Sequence, residues 1–100
     1  MKIISILESP KKNKRFRVYL DDGRHFDFGL KDFKDGTYID HHDPQKRLNY
    51  ISRHLANYNE KKLIDNLTPS AALFAMMLLW GESTNLYENI EILNEFLPEA

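Results

Sequence analysis

The stretch Arg15-Phe16-Arg17-Val18-Tyr19-Leu20-Asp21-Asp22-Gly23-Arg24-His25-Phe26-Asp27-Phe28 decides the fold, because it carries two strands and the turn between them. A two-residue loop at Asp22-Gly23 would set Leu20 against His25 and Val18 against Asp27, apolar against polar. A three-residue loop, with Gly23 in the left-handed conformation of a G1 bulge, pairs Phe16 with Phe28 and Val18 with Phe26 on one face. On the other face it pairs Arg17 with Asp27 and Tyr19 with His25. Every pair is then compatible, and a slip of one residue would invert all of them. The three-residue loop is therefore the expected one.

Upstream, residues 3–7 read as a third strand, joined by Ser9-Pro10-Lys11-Lys12-Asn13-Lys14. Residues 30–40 read as irregular chain around the turn cluster Lys31-Asp32-Phe33-Lys34-Asp35-Gly36, with Thr37-Tyr38-Ile39-Asp40 as a candidate fourth edge strand.

Downstream the period changes. Asp43-Pro44 is a helix start, with Asp43 as cap and Pro44 at the first helical position. An apolar stripe of Leu48, Ile51, Leu55 and Tyr58 follows at helical spacing. A second stripe beside it, Arg47, Tyr50, His54, Asn57 and Lys61, is polar, basic and aromatic. A break at 57–59 precedes a short helix over 60–66. Thr68-Pro69 opens another over 70–80, which Gly81 stops. Ser83 or Thr84 caps a last helix near 85–96, with Leu86, Ile90, Leu93 and Leu97 inward and Glu88, Glu91 and Glu95 outward. The fold class is thus α+β: an N-terminal antiparallel β-meander of three or four strands packed against three or four C-terminal helices. With no repeat and no linker, residues 1–100 read as a single domain, 1–40 β-rich and 43–97 helical.

Composition narrows the function classes. The absence of cysteine excludes disulfides, thiolate metal sites and cysteine nucleophiles. The apolar start is short and ends at Glu8, unlike a signal peptide. The longest apolar run, 71–80, is half of the roughly 20 residues a bilayer needs, so no membrane partner is expected.

The net charge of −1 conceals a segregation. Residues 1–62 hold all 14 bases against nine acids, a balance of +5, whereas residues 63–100 hold six acids and no base, −6. Lys11, Lys12, Lys14, Arg15 and Arg17 crowd the first hairpin, with Arg15 and Arg17 on the outer face. With Arg47, Tyr50, Arg53 and His54 from the first long helix they form the candidate nucleic-acid-binding set, Tyr50 serving as a stacking platform. The plainer reading is a solvated basic hairpin that guards a sheet edge. No DNA-binding motif is present, so contact would be to phosphate, with little base readout.

The 70–80 helix is apolar nearly all round and must be covered on every side. Either the rest of the chain wraps it or a second copy does. On the second reading Phe74, Met77, Leu78 and Trp80 form a homodimer interface, and Ala71, Ala72 and Ala75 allow close helix approach.

Asp40-His41-His42-Asp43 has ligand-type side chains, and a metal-dependent hydrolase would use Asp40, His41 and His54. Adjacent histidines on extended chain point apart, and Asp43 already serves as a cap. No nucleophile elbow, phosphate loop or dinucleotide fingerprint occurs. No enzyme, metal or other cofactor is expected.

Several segments resemble a small domain of uncharacterised function found in large nucleocytoplasmic DNA viruses of algae and amoebae. They are Asp27-Phe28-Gly29-Leu30-Lys31, Thr37-Tyr38-Ile39-Asp40-His41, Lys46-Arg47-Leu48-Asn49-Tyr50 with Arg53-His54, Thr68-Pro69-Ser70-Ala71-Ala72-Leu73-Phe74 and Leu79-Trp80-Gly81. The likeness spans about residues 15–81 and departs from the pattern at His42, at Pro44-Gln45 and in the 31–36 loop. It implies a viral protein, located in the virion or in viral factories of the host cytoplasm, and carries no activity with it. The expected function is a non-enzymatic virion-associated protein that self-associates and binds DNA. The alternatives are a capsid-assembly or protein-interaction module and the hydrolase.

Overall fold

Gly23 takes the left-handed conformation, φ 92°, and its N–H donates to Leu20 O at 3.1 Å. This closes the three-residue loop in a computed structural model that describes residues 1–31 and 34–98. Strands β1 (Ile3–Glu8), β2 (Lys14–Leu20) and β3 (His25–Leu30) form an antiparallel sheet in the order β1-β2-β3. The register pairs Phe16 with Phe28, Val18 with Phe26, Arg17 with Asp27 and Tyr19 with His25, as side-chain compatibility requires.

The expected fourth strand is a helix. Residues Tyr38–His41 form one turn, α1. Asp40 turns back on Thr37, accepting from its N–H at 2.7 Å and its Oγ1 at 2.8 Å, and this local closure competes with extended pairing. Two residues of the expected 31–36 turn, 32 and 33, lie outside the described residues.

Helix α2 (Pro44–Leu55) starts where expected, with Asp43 Oδ1 accepting from the N–H groups of Gln45 and Lys46. Helix α3 (Tyr58–Asp65) starts two residues earlier than expected, capped by Asn57. The inner face of α2 is a correction. Leu48 and Tyr58 of the apolar stripe are 55% and 75% exposed. Part of the polar, basic and aromatic stripe docks instead: Tyr50 stacks on Trp80 at 4.2 Å and 7°, and Arg47 Nε donates to Trp80 O at 3.0 Å. A phenol ring presents a flat face that stacks on an indole, and the Arg47 guanidinium lies over the Tyr38 ring at 5.6 Å.

The expected 70–80 helix is composite. Ser70, not Thr68, caps α4 (Ala71–Phe74), its Oγ accepting from Leu73 N. Residues Ala75–Leu79 continue as a π-helical segment whose end is marked by Trp80 N donating to Ala75 O. Phe74 and Leu78 are 0% exposed and Trp80 5%. Phe74 packs on Phe26 and Phe28 of the sheet, with ring centroids 5.5 and 6.0 Å apart. Met77 is half-buried against the same core. Phe74, Leu78 and Trp80 are therefore core residues rather than an interface. The sheet and α5 (Leu86–Phe96) both pack against these segments, which accounts for the burial of Phe74, Leu78 and Trp80 within one chain.

Asn85, rather than Ser83 or Thr84, caps α5. Leu93 and Leu97 enter the core as expected, and Asn89, which no apolar stripe marks, is buried beside them at 1% exposure. Among the described residues no helix is long and apolar enough to cross a membrane.

Candidate functional site

Part of the expected basic face is paired within the chain, Lys11, Arg15 and Arg17 with carboxylates. Arg17 meets Asp27 in a fork, Nε to Oδ1 at 3.0 Å and Nη2 to Oδ2 at 3.1 Å. The Asp27 side chain is 5% exposed, takes a further bond from Ser9 Oγ at 2.6 Å, and lies 3.7 Å from Lys11 Nζ. Its bonds to Arg17 hold the carboxyl down at about 2 against the opposing effect of burial, with Ser9 assisting. Arg15 is committed to Asp40 by a second fork, Nη1 to Oδ2 at 2.7 Å and Nη2 to Oδ1 at 2.8 Å. Arg47 is held by the Trp80 carbonyl and lies over the Tyr38 ring at 5.6 Å. The guanidinium groups of all three arginines are hydrogen-bonded within the chain. A strand register shows that Arg17 faces Asp27, but the sequence has no local signal for the pairing of Arg15 with Asp40 across 25 residues.

Tyr50 also departs from its expected role. Its ring lies between Trp80 and His54, 4.0 Å from the latter, so it is a packed wall and not an open platform. Burial pushes its phenol up to about 12, with the Glu60 carboxylate adding to the shift and Arg53 opposing it. His54 Nδ1 donates to Glu60 Oε2 at 2.8 Å.

These rings wall a cleft of about 370 Å³. Its floor is Ala71, Ala72, Ala75, Met76 and Leu79, and its far edge is Gly29 and Leu30 at the end of β3. The three alanines were expected to admit a neighbouring helix, but here they leave a volume open. Gly29 is required at that edge: its φ is 78°, and a Cβ there would lie 2.9 Å from Leu79 Cδ1.

Lys14 and Arg53 line this cleft from β2 and α2. Neither has a carboxylate partner among the described residues, and the same holds for Lys12 and Lys31. Lys31 was absent from the expected set. Its N–H donates to Asn13 O at 3.4 Å, which sets it beside the Lys11–Lys14 turn. Pairing of Lys14 with Leu30 extends the hairpin register to this position, so the register already contained the signal.

The hydrolase set does not assemble. Asp40 is bound by Arg15, His41 Nδ1 accepts from Asp43 N at 3.0 Å, and His54 is bound to Glu60. Among the described residues no three His, Asp or Glu side chains gather in a metal-holding group. His41 packs on Trp80 at 5.4 Å, and its Nε2 is buried with no hydrogen-bond partner among the described residues.

Residues 4–54 match the model of a family of unknown function, DUF5754. The chain belongs to that family. No curated protein and no solved structure matches it. The DUF5754 match covers most of β1, all of β2, β3 and α1, and α2 as far as His54, and so includes Lys14, Arg53 and His54. The floor of the cleft, from α4 and the π-helical segment, lies beyond the matched residues.

Proposed function

We propose that this DUF5754 protein is a non-enzymatic viral nucleic-acid-binding protein. The observation that carries the binding reading is the group Lys12, Lys14, Lys31 and Arg53, none with a carboxylate partner among the described residues, with Lys14 and Arg53 lining the cleft. The binding face is thus smaller than the nine residues expected from the sequence. It excludes Arg15, Arg17 and Arg47, whose guanidiniums are held within the chain. The viral assignment, with the virion or the viral factories of the host cytoplasm as location, rests on the resemblance of the Tyr38-Ile39-Asp40-His41 and Arg53-His54 segments to the giant-virus domain.

Four cations that neutralise about four phosphates predict a salt slope of about −3, with the weak affinity of non-specific binding. A titration of labelled oligonucleotide at stepped salt tests this. Affinity that falls steeply with salt, and falls further in Lys14→Ala/Arg53→Ala, supports the reading. Absence of binding to single and double strands at low ionic strength refutes it and favours the assembly-module alternative.

A further inference from the structure

We infer that the cleft between α2, α3, the Ala71–Leu79 segments and the end of β3 receives one unpaired nucleobase, so that the protein prefers single strands to duplex. This rests on the nucleic-acid reading above and adds the form of nucleic acid to it.

Three observations converge. The volume, about 370 Å³, sits at the low end of small-molecule sites, about 300–1,000 Å³. It suits one flat group and is far too small for a duplex. The lining is suited to a base: apolar side chains from Ala71 to Leu79, and the rings of Trp80, Tyr50 and His54. Tyr50 is stacked flat on Trp80, and His54 is tilted 31° to Tyr50. Glu60, bound to His54, is the one carboxylate among the described lining residues. All three rings line the cleft, so an entering base meets aromatic surface that is already in place. The cations are placed for the phosphates that flank such a base, Arg53 from α2 and Lys14 from β2, with Lys12 further along the hairpin turn. Base pairing hides both faces of a base within the duplex stack, so a paired base cannot enter without being flipped out. Sequence selectivity is expected to be low, because every base has a stacking face.

The rival occupant is a second copy of this chain. Phe96 on α5 is exposed and flanked by Glu95, a chemistry that also complements an apolar cleft lined by Lys14 and Arg53.

The test uses the full chain and labelled ten-nucleotide strands of DNA and RNA, each single or annealed to its complement, at low salt. Anisotropy reads affinity, and fluorescence of Trp80, the single tryptophan, reports insertion. The expected result is about tenfold tighter binding of single strands with quenching of Trp80. Comparison of the DNA and RNA strands shows which of the two is preferred. Ala72→Leu fills the floor and should bring single-strand affinity down to the duplex level while leaving duplex affinity unchanged. Ala71→Phe repeats the test at an exposed position of the lining, should Ala72→Leu fold poorly by circular dichroism.

Equal affinity for single and double strands, with no quenching and no effect of either filling variant, overturns the inference and leaves the proposed function standing. No binding of any strand removes both. A concentration-dependent dimer that Ala72→Leu disperses assigns the cleft to a second copy and likewise overturns the inference.

Discussion

Arg15 and Asp40 grip each other through two parallel bonds of 2.7 and 2.8 Å, and so tie the middle strand to the one-turn helix α1. The Arg15 guanidinium, with the Thr37 N–H and hydroxyl, holds the Asp40 carboxyl well below the usual carboxylate range. The same contact removes a cation from the surface. Asp40→Ala should therefore act in opposite directions on stability and on binding. Loss of the Thr37 closure and of a half-exposed ion pair should cost about 1–2 kcal/mol. Release of Arg15 should strengthen oligonucleotide binding several-fold at low salt. Thermal melting and a binding titration on the same variant check both arms, and unchanged affinity would count against the view that internal pairing limits the basic face.

Asp27 predicts an acid transition. Its carboxyl, ordinarily near 3.8, is held at about 2 by Arg17. Between those values the unfolded chain binds a proton that the folded chain does not. The resulting stability is present above about pH 4 and is lost as pH falls toward 2. Asp27→Asn should be less stable than the parent at pH 7, and the gap should narrow steadily between pH 4 and 2. Denaturant melts across that range give the curve. A gap independent of pH would show that the Arg17 contact is not charge-dependent.

Tyr50 predicts an alkaline counterpart. Its phenol is pushed up to about 12 by burial against Trp80 and His54. From about pH 10 the unfolded tyrosine ionises while the folded one does not, so this stability is present below pH 10 and is lost as pH rises through 12. Ultraviolet titration of the five tyrosines should show one class ionising near 12. That class should disappear in Tyr50→Phe.

Asn89 predicts the largest single loss outside the apolar core. Its Nδ2 donates to Leu78 O at 3.0 Å and to Ser83 O at 2.8 Å, and its Oδ1 accepts from Ser83 N at 2.9 Å. It thereby satisfies a carbonyl left open where the π-helical segment ends. Gly81 shares this crowded corner: a Cβ there would lie 2.3 Å from Met77 O and 2.7 Å from Asn89 Cγ. Asn89→Asp replaces both donors by acceptors facing carbonyls and should lose about 3 kcal/mol. Asn89→Leu, similar in size, leaves the same backbone groups unmet and should lose about 2–3 kcal/mol. Urea unfolding measures both, and a loss below about 1 kcal/mol would show that the bridge is dispensable.

The legible parts of the molecule are those where neighbours in sequence constrain each other. Asp43-Pro44 marks a helix start, and Asn57 lies within the expected break, although Tyr58 and Asn59 already belong to the next helix, because capping is a contact within a few residues. Even Lys31 was within reach, one step along the hairpin from Lys14 and Leu30. The inner face of α2 was not, because the choice between the Leu48 stripe and the Tyr50 stripe depends on Trp80, thirty residues further on. Thr37–Asp40 misled for a related reason: its residues suit a strand, and Asp40 closing on Thr37 makes it a turn of helix.

The sequence by itself determined the β2–β3 register, since the three-residue loop sets each of Phe16, Arg17, Val18 and Tyr19 against a compatible partner, and with it the α+β class. Only the tertiary structure decided where the charge and the empty space lie. Asp40 takes up Arg15, and Ala71, Ala72 and Ala75 leave a cleft that Lys14 and Arg53 also line. The physical reason is range. Register and capping follow from contacts a few residues apart, whereas an ion pair across 25 residues and a cavity between four elements exist only once the whole chain has packed.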